Sequence, residues 1–305
     1  MTRWLWSAAD GSVTDLSAWS AGTYVLGEGT SGQLAPEYEF ATQGFAGVDG
    51  ETLQQVTALP ASPTLALDLV ASSGDELRNR VRALAHALRP RAGMGVLRAI
   101  GADGSERRLP CYYRKGLESG TYRVTRYRTA LEFWSPSPWW RGDPLSESWS
   151  LAAAQAFFPF FPLNLSATTV SGARSVDLSG TDSRTFPLWV VTGPGSQLTL
   201  SNTYDAVQPD GTVAPVTRSL VLNAAIGDGE LVVIDTRPGY QSVRRATRNP
   251  DRSLVLGESL FGSLGSDPAM WPLVDGVNEV SVLLSGAGAA SMVELTADRL
   301  YSGAL

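Results

Sequence analysis

Short runs rich in β-branched and aromatic residues alternate along this chain with turn-forming residues, a pattern that predicts many short strands. Leu65 to Val70, Leu188 to Thr192, Arg218 to Leu222, Glu230 to Asp235 and Glu279 to Leu284 read as strands by length and spacing. Tyr127, Thr129, Leu131 and Phe133 alternate with Arg126, Arg128 and Glu132, as on a half-exposed antiparallel strand. Tyr122 and Val124 are out of phase with them, which predicts a bulge near Arg126. Six Asp-Gly dipeptides, at Asp10, Asp49, Asp103, Asp210, Asp228 and Asp275, offer the positive-φ positions of two-residue hairpin turns.

One segment has helical period, and it predicts a helix over about 74–89. Ser73 with Glu76 forms a capping box, Leu77, Val81, Leu84, Ala85 and Leu88 make one apolar stripe, and Pro90 with Gly93 ends it. The opposite stripe, Arg78, Arg82, His86 and Arg89, reads as a solvated face or as a surface that docks on an acidic neighbouring subunit. A hairpin then runs from about Val96 through Asp103-Gly104 to Tyr113. The segment Ser135 to Pro144 follows, with X-Pro steps that enforce extended backbone and stop a central ladder. At 305 residues the chain fits two domains of about 150. The expectation is therefore a mainly all-β protein of two β-sandwich domains: 1–144 with a single packed α-helix, and 145–305 with strands only.

Composition narrows the function. The net charge is −6, so the broad positive field needed for sequence-independent nucleic-acid binding is missing. Cys111 is the single cysteine and cannot form an internal disulfide, and Met1 to Ser7 lacks the apolar run of a signal peptide; both lead us to expect folding in a reducing cytoplasm. The apolar stretch 152–165 is broken by Pro159 and Pro162 and is too short for a membrane span.

No catalytic, cofactor-binding or metal constellation emerges. A single histidine, His86, removes nearly every Ser-His-Asp, Cys-His and multi-histidine metal scheme. Cys111 reads as a buried, inert thiol. Gly93-Met-Gly95 and Gly286-Ala-Gly288 lack the spacing and setting of a phosphate loop, and the sequon at Asn164 has no meaning without secretion. Glu37 with Glu39 and Asp205 with Asp210 are acid/base pairs only in the weak sense that any carboxylates can meet. Trp139 and Trp140, or Trp4 and Trp6, could stack on sugars, but at the end of a domain packing explains the first pair better.

The order of these segments resembles the distal tail (Dit) proteins of long-tailed, siphovirus-type bacteriophages. Trp6 and Asp10-Gly11 are followed by Tyr24 to Gly32 with Pro36, and then by Gly47-Val-Asp-Gly50. Next come Leu65 to Val70, the helix with Glu76-Leu77-Arg78, the hairpin from Gly95 to Tyr113, and Leu131-Glu-Phe133 leading into Pro136-Ser-Pro138-Trp139-Trp140. Pro187 to Gly193 and Trp271 to Val282 look like the family's C-terminal sandwich. The resemblance implies a homohexameric ring built by the first domain and a galectin-like or carbohydrate-module-like second domain outside it. It also implies the tail tube protein, the baseplate hub or tail-associated protein and the tape measure protein as partners. The place it implies is the virion tail tip, after synthesis in the bacterial host cytoplasm. It implies no catalytic residues and no cofactor.

A ring also has a physical rationale, since sheet edges can be hidden against the next protomer in a closing interface. The hairpin residues Val96, Leu97, Tyr112 and Tyr113 are the candidate contact. The alternative function is a carbohydrate-binding module or adhesin that recognises host glycan, with Trp139 and Trp140 as stacking aromatics. A third reading is a glycoside-processing enzyme using Glu37 or Asp205.

Overall fold

The computed structural model describes residues 2–18, 22–47, 49–151, 155–158, 161–165, 168–208, 211–251 and 253–304. Val48, Ser166 of the sequon, Asp210, and 152–154 and Pro159 of the apolar stretch lie outside the described residues. The chain divides into two units, Met1–Asp143 with Leu300–Leu305, and Pro144–Arg299.

The first unit holds strands Arg3–Ser7 (β1), Val13–Asp15 (β2), Thr23–Ser31 (β3), Tyr38–Gly44 (β4), Glu51–Ala58 (β5) and Thr64–Val70 (β6), then helix Gly74–Ala87 (α1). Strands Gly95–Ile100 (β7), Glu106–Lys115 (β8), Thr121–Arg123 (β9) and Arg126–Trp134 (β10) follow, and Trp140–Ser150 (β11) crosses the boundary. One sheet runs β2-β1-β7-β8, and a second pairs β3 with β6, β6 with β10 and β10 with β9. The far end of β8 leaves the first sheet and pairs β10 through a bulge between Glu132 and Phe133, so one strand stitches the two sheets together. Between them Leu97, Leu109 and Cys111 meet Leu65, Leu67, Leu131 and Phe133, and α1 adds Leu77 and Leu84, with Leu88 just past its end. Each such leucine contributes about 2 kcal/mol of transfer free energy.

Local chemistry explains why α1 forms where it does. Ser73 Oγ accepts the Glu76 N–H at 3.2 Å, and Glu76 in turn accepts the Ser72 N–H at 2.9 Å, which satisfies donors the helix cannot pair itself. Those bonds from Ser72, with Arg80 behind them, hold the Glu76 carboxyl down at about 2. At the other end the Trp6 indole N–H donates to Ala87 O at 2.8 Å. The buried stripe is narrower than the sequence indicates: Ala85 is exposed and Val81 only half-buried.

Two turn expectations change. The phase slip before Arg126 is a hairpin turn rather than a bulge, because Arg126 pairs Arg123 across a two-residue connection at Val124-Thr125. The Asp-Gly pairs at Asp10 and Asp103 close five-residue loops, not two-residue turns. The reason is that each Asp carboxylate accepts both the N–H and the hydroxyl of the serine two residues on. Pro144 also lies within β11, so the X-Pro step there does not stop a strand.

The second unit is a sandwich. Its strands are Gln155–Phe158 (β12), Phe161–Leu165 (β13), Thr169–Asp177 (β14), Leu188–Thr192 (β15), Gln197–Val207 (β16) and Val213–Leu222 (β17). Leu231–Asp235 (β18), Ser242–Arg248 (β19), Leu254–Ser259 (β20), Val277–Ser285 (β21) and Met292–Tyr301 (β22) complete it. The sheet β14-β21-β16-β17 faces the ordered strands β22-β15-β18-β19-β20. Val176, Leu198, Leu200, Leu220 and Val282 from one side meet Trp189, Val191, Val232, Ile234 and Val293 from the other. Trp189 is the hub of this core, 5.9 Å from the Trp149 ring and 5.6 Å edge-on from Trp271.

Candidate interaction site

Strands β4 and β5 form a two-stranded sheet of their own, with no third strand among the described residues. Every residue of β4 is exposed, and so is every residue of β5 except Ala58. The register places Phe40 opposite Val56 and Thr42 opposite Leu53, with a shift between Ala41 and Thr42. Directly opposed residues share a face. Leu53 and Val56 are three apart and would fall on opposite faces of a regular strand; the extra residue, Gln54, restores the phase. The ribbon therefore has one face of Tyr38, Phe40, Thr42, Leu53 and Val56, mainly apolar up to Glu51 at its tip end, and another of Glu39, Ala41, Gln43, Gln55 and Thr57. Phe40 is 63% exposed and Leu53 55%. A lone hairpin is marginal in water, and an apolar ribbon face in solvent marks a contact surface.

The residues singled out from sequence sit elsewhere. β7 is flanked by β1 and β8, so the hairpin carrying Val96, Leu97, Tyr112 and Tyr113 is sheet interior, and Leu97 is fully buried. Tyr112 stacks on Trp134 with centroids 6.5 Å apart, and Tyr113 meets Phe133 edge-on at 6.3 Å. Trp140 is 1% exposed and packs edge-on against Trp4, so its ring face is closed to a sugar; Trp139 is half-buried. Glu37, Glu39, Asp205 and His86 are exposed. Burial pushes the Cys111 thiol up to about 12, which leaves it protonated and unreactive at neutral pH. A groove of about 700 Å³ in the second unit has Glu230, Leu231, Arg245, Ala246 and Met292 among its described lining, which contains no aromatic ring. Among the described residues no group of three or more His, Cys, Asp or Glu could hold a metal ion, and no helix is long and apolar enough to cross a membrane.

A second exposed feature lies on β9 and β10, where Thr121, Arg123, Arg126 and Arg128 line a cavity of about 210 Å³. The register pairs Arg123 with Arg126 and Thr121 with Arg128, so all four project from one face. Asp68 lies beneath them, buried. Arg126 Nε donates to its two oxygens at 2.7 and 2.9 Å, and Arg128 stands 3.7 Å away. The Arg126 hydrogen bond, stronger in effect than the opposing burial, lowers the Asp68 carboxyl from its usual 3.8. A folded-state value below the unfolded one adds stability above the unfolded value, and that stability is lost as pH falls through the folded one. The stability gap between the wild-type chain and the Asp68→Asn variant, measured by urea unfolding, should therefore be wider at about pH 6 than at about pH 2.5. The gap stays modest because Arg126 is half exposed.

No protein-family model matches the chain, and no curated protein matches it in sequence. Solved structures do. The Dit protein of phage SPP1 superposes with a TM-score of 0.59 at 14% identity, over 97% of this chain and 98% of that one. Chains of the phage P2 baseplate in its activated conformation, with Ca and with Sr, give TM-scores of 0.48 and 0.47 at 7% identity, each over 97% of this chain and 98% of theirs. Over nearly its whole length, then, this chain has the fold of the SPP1 Dit protein.

Proposed function

We propose that this chain is a non-enzymatic structural protein of a phage tail tip, which assembles with copies of itself into a ring joining the tail tube to the baseplate hub. The observation that carries the reading is the β4-β5 ribbon: an apolar face in solvent on a free chain becomes a buried face once a neighbour receives it. The shared fold supports it, since the SPP1 Dit structure is described as a paradigm of the hub adsorption apparatus of phages that infect Gram-positive bacteria. In this reading residues 1–144 build the ring and 145–305 form an outer sandwich. The ring is a hexamer, and its neighbours are the tube, hub and tape measure proteins.

Light scattering across concentration tests it. Wild type should give a species near six times 32.4 kDa. The Phe40→Ser, Val56→Ser double variant should stay monomeric with an unchanged melting temperature, because both side chains are exposed in the single chain. A wild-type chain that is monomeric throughout, or a double variant that assembles like wild type, refutes the proposal.

A further inference from the structure

A ring closed by an arm needs a receiving surface on the same chain, and the exposed arginines that line a cavity on β9 and β10 offer one. Between Arg3 and Arg78 there is no lysine or arginine. The arm lies in that interval and carries Glu37 and Glu39 near its root and Asp49 and Glu51 at its tip. Among the described residues none of these four carboxylates forms an ion pair, and Glu51 bonds only the Thr42 hydroxyl. The arginine surface on β9 and β10 has the opposite excess. Of three exposed guanidiniums there, Arg126 and Arg128 share one buried carboxylate, Asp68, and Arg123 forms no ion pair among the described residues. Neither surface is neutralised within its own chain, so a head-to-tail contact can satisfy both, once per interface.

We infer that the acidic arm tip, Asp49 and Glu51, of one copy docks on the Arg123, Arg126 and Arg128 surface of the next copy. This rests on the ring reading and adds its polarity and its chemistry: an electrostatic latch beside an apolar contact. The cavity of about 210 Å³ between the arginines is the socket, wide enough for carboxylates to reach guanidinium N–H groups. Strands of seven and eight residues carry the tip roughly 20 Å from its root.

The test is a charge swap read by light scattering and sedimentation. Arg123→Glu with Arg128→Glu, and separately Asp49→Arg with Glu51→Arg, should each weaken assembly by roughly tenfold or more in dissociation constant. Arg126 is left in place because it holds Asp68. Combining all four substitutions in one chain should restore assembly, since every interface again pairs opposite charges. Wild-type assembly should loosen between about 50 and 500 mM NaCl, where a purely apolar contact would not. A melting curve for each variant separates a lost latch from a lost fold. Should a reversal fail to fold, Arg123→Gln and Asp49→Asn report the same loss at smaller size. A wild type that never assembles refutes the ring and the latch together. A wild-type ring that survives both reversals, or reversals that the four-fold variant does not rescue, refutes the latch and leaves the ring standing.

Discussion

Replacing Asn278 with leucine should destabilise the second unit by about 3–5 kcal/mol, although the side chains are close in size. Asn278 is fully buried, and its amide makes four hydrogen bonds. Its Oδ1 accepts from Val274 N at 3.0 Å and from Asn202 Nδ2 at 3.1 Å, and its Nδ2 donates to Val274 O at 2.8 Å and Gly276 O at 3.2 Å. The amide thus stands in for a strand along the turn that leads into β21. Gly276 O keeps the Leu178 N–H and Asn202 keeps Pro272 O, but both backbone groups of Val274 lose the partner the amide gave them. Stranding buried groups costs more than the net worth of the bonds that satisfied them. The Asn278→Asp variant discriminates further. At neutral pH its carboxylate would face two carbonyl oxygens, so it should be less stable than Asn278→Leu. Burial raises its folded-state value, so the stability lost at neutral pH should return as pH falls toward the unfolded value. Urea unfolding followed through tryptophan emission reads both variants, since Trp271 lies in this core. Equal stability of Asn278→Leu and wild type would show that the amide network is dispensable.

The strands that carry both cores were readable because alternation reports burial of one face. In β10 the pattern of Tyr127, Thr129, Leu131 and Phe133 against Arg126 and Arg128 matches the observed exposure. The arm was not readable for the same reason. Phe40, Leu53 and Val56 alternate like core residues, and the bulge at Gln54 breaks even that signal, so nothing local says that both faces meet solvent. The sequence argument for a contact hairpin chose Val96 to Tyr113 from its two tyrosines. Which hairpin is interior depends on β1 flanking β7, a pairing of residues 89 to 97 apart that no window reveals. A run of 74 residues free of basic side chains, from Trp4 to Leu77, was the one visible sign that the arm differs from the rest of the surface. Trp140 shows the converse. A tryptophan beside prolines looks available for stacking, yet it fills the first core.

Substituting Gly116 by alanine should cost the first unit about 3 kcal/mol or more, whereas the same change at Gly104 should cost only about 1 kcal/mol. Both glycines have positive φ, +129° and +85°, so alanine is strained at either. Space separates them. A Cβ on Gly104 would meet nothing within 4 Å, while one on Gly116 would lie 2.0 Å from Ala130 O. That oxygen is backbone of β10 and cannot rotate away, so β8 and β10 would have to separate. Here β8 crosses from one sheet to the other, with Lys115 paired to Glu132 and Tyr113 to Phe133. Gly116 O also accepts the buried Thr129 hydroxyl at 2.6 Å, a bond that any backbone shift would strain. Separation of the strands would therefore open the seam under Phe133 and Tyr113, whose rings pack across it. Thermal unfolding of the two variants beside wild type gives the answer. A Gly116→Ala chain as stable as Gly104→Ala would mean that the seam yields, and that the stitching of two sheets by β8 is looser than its geometry implies.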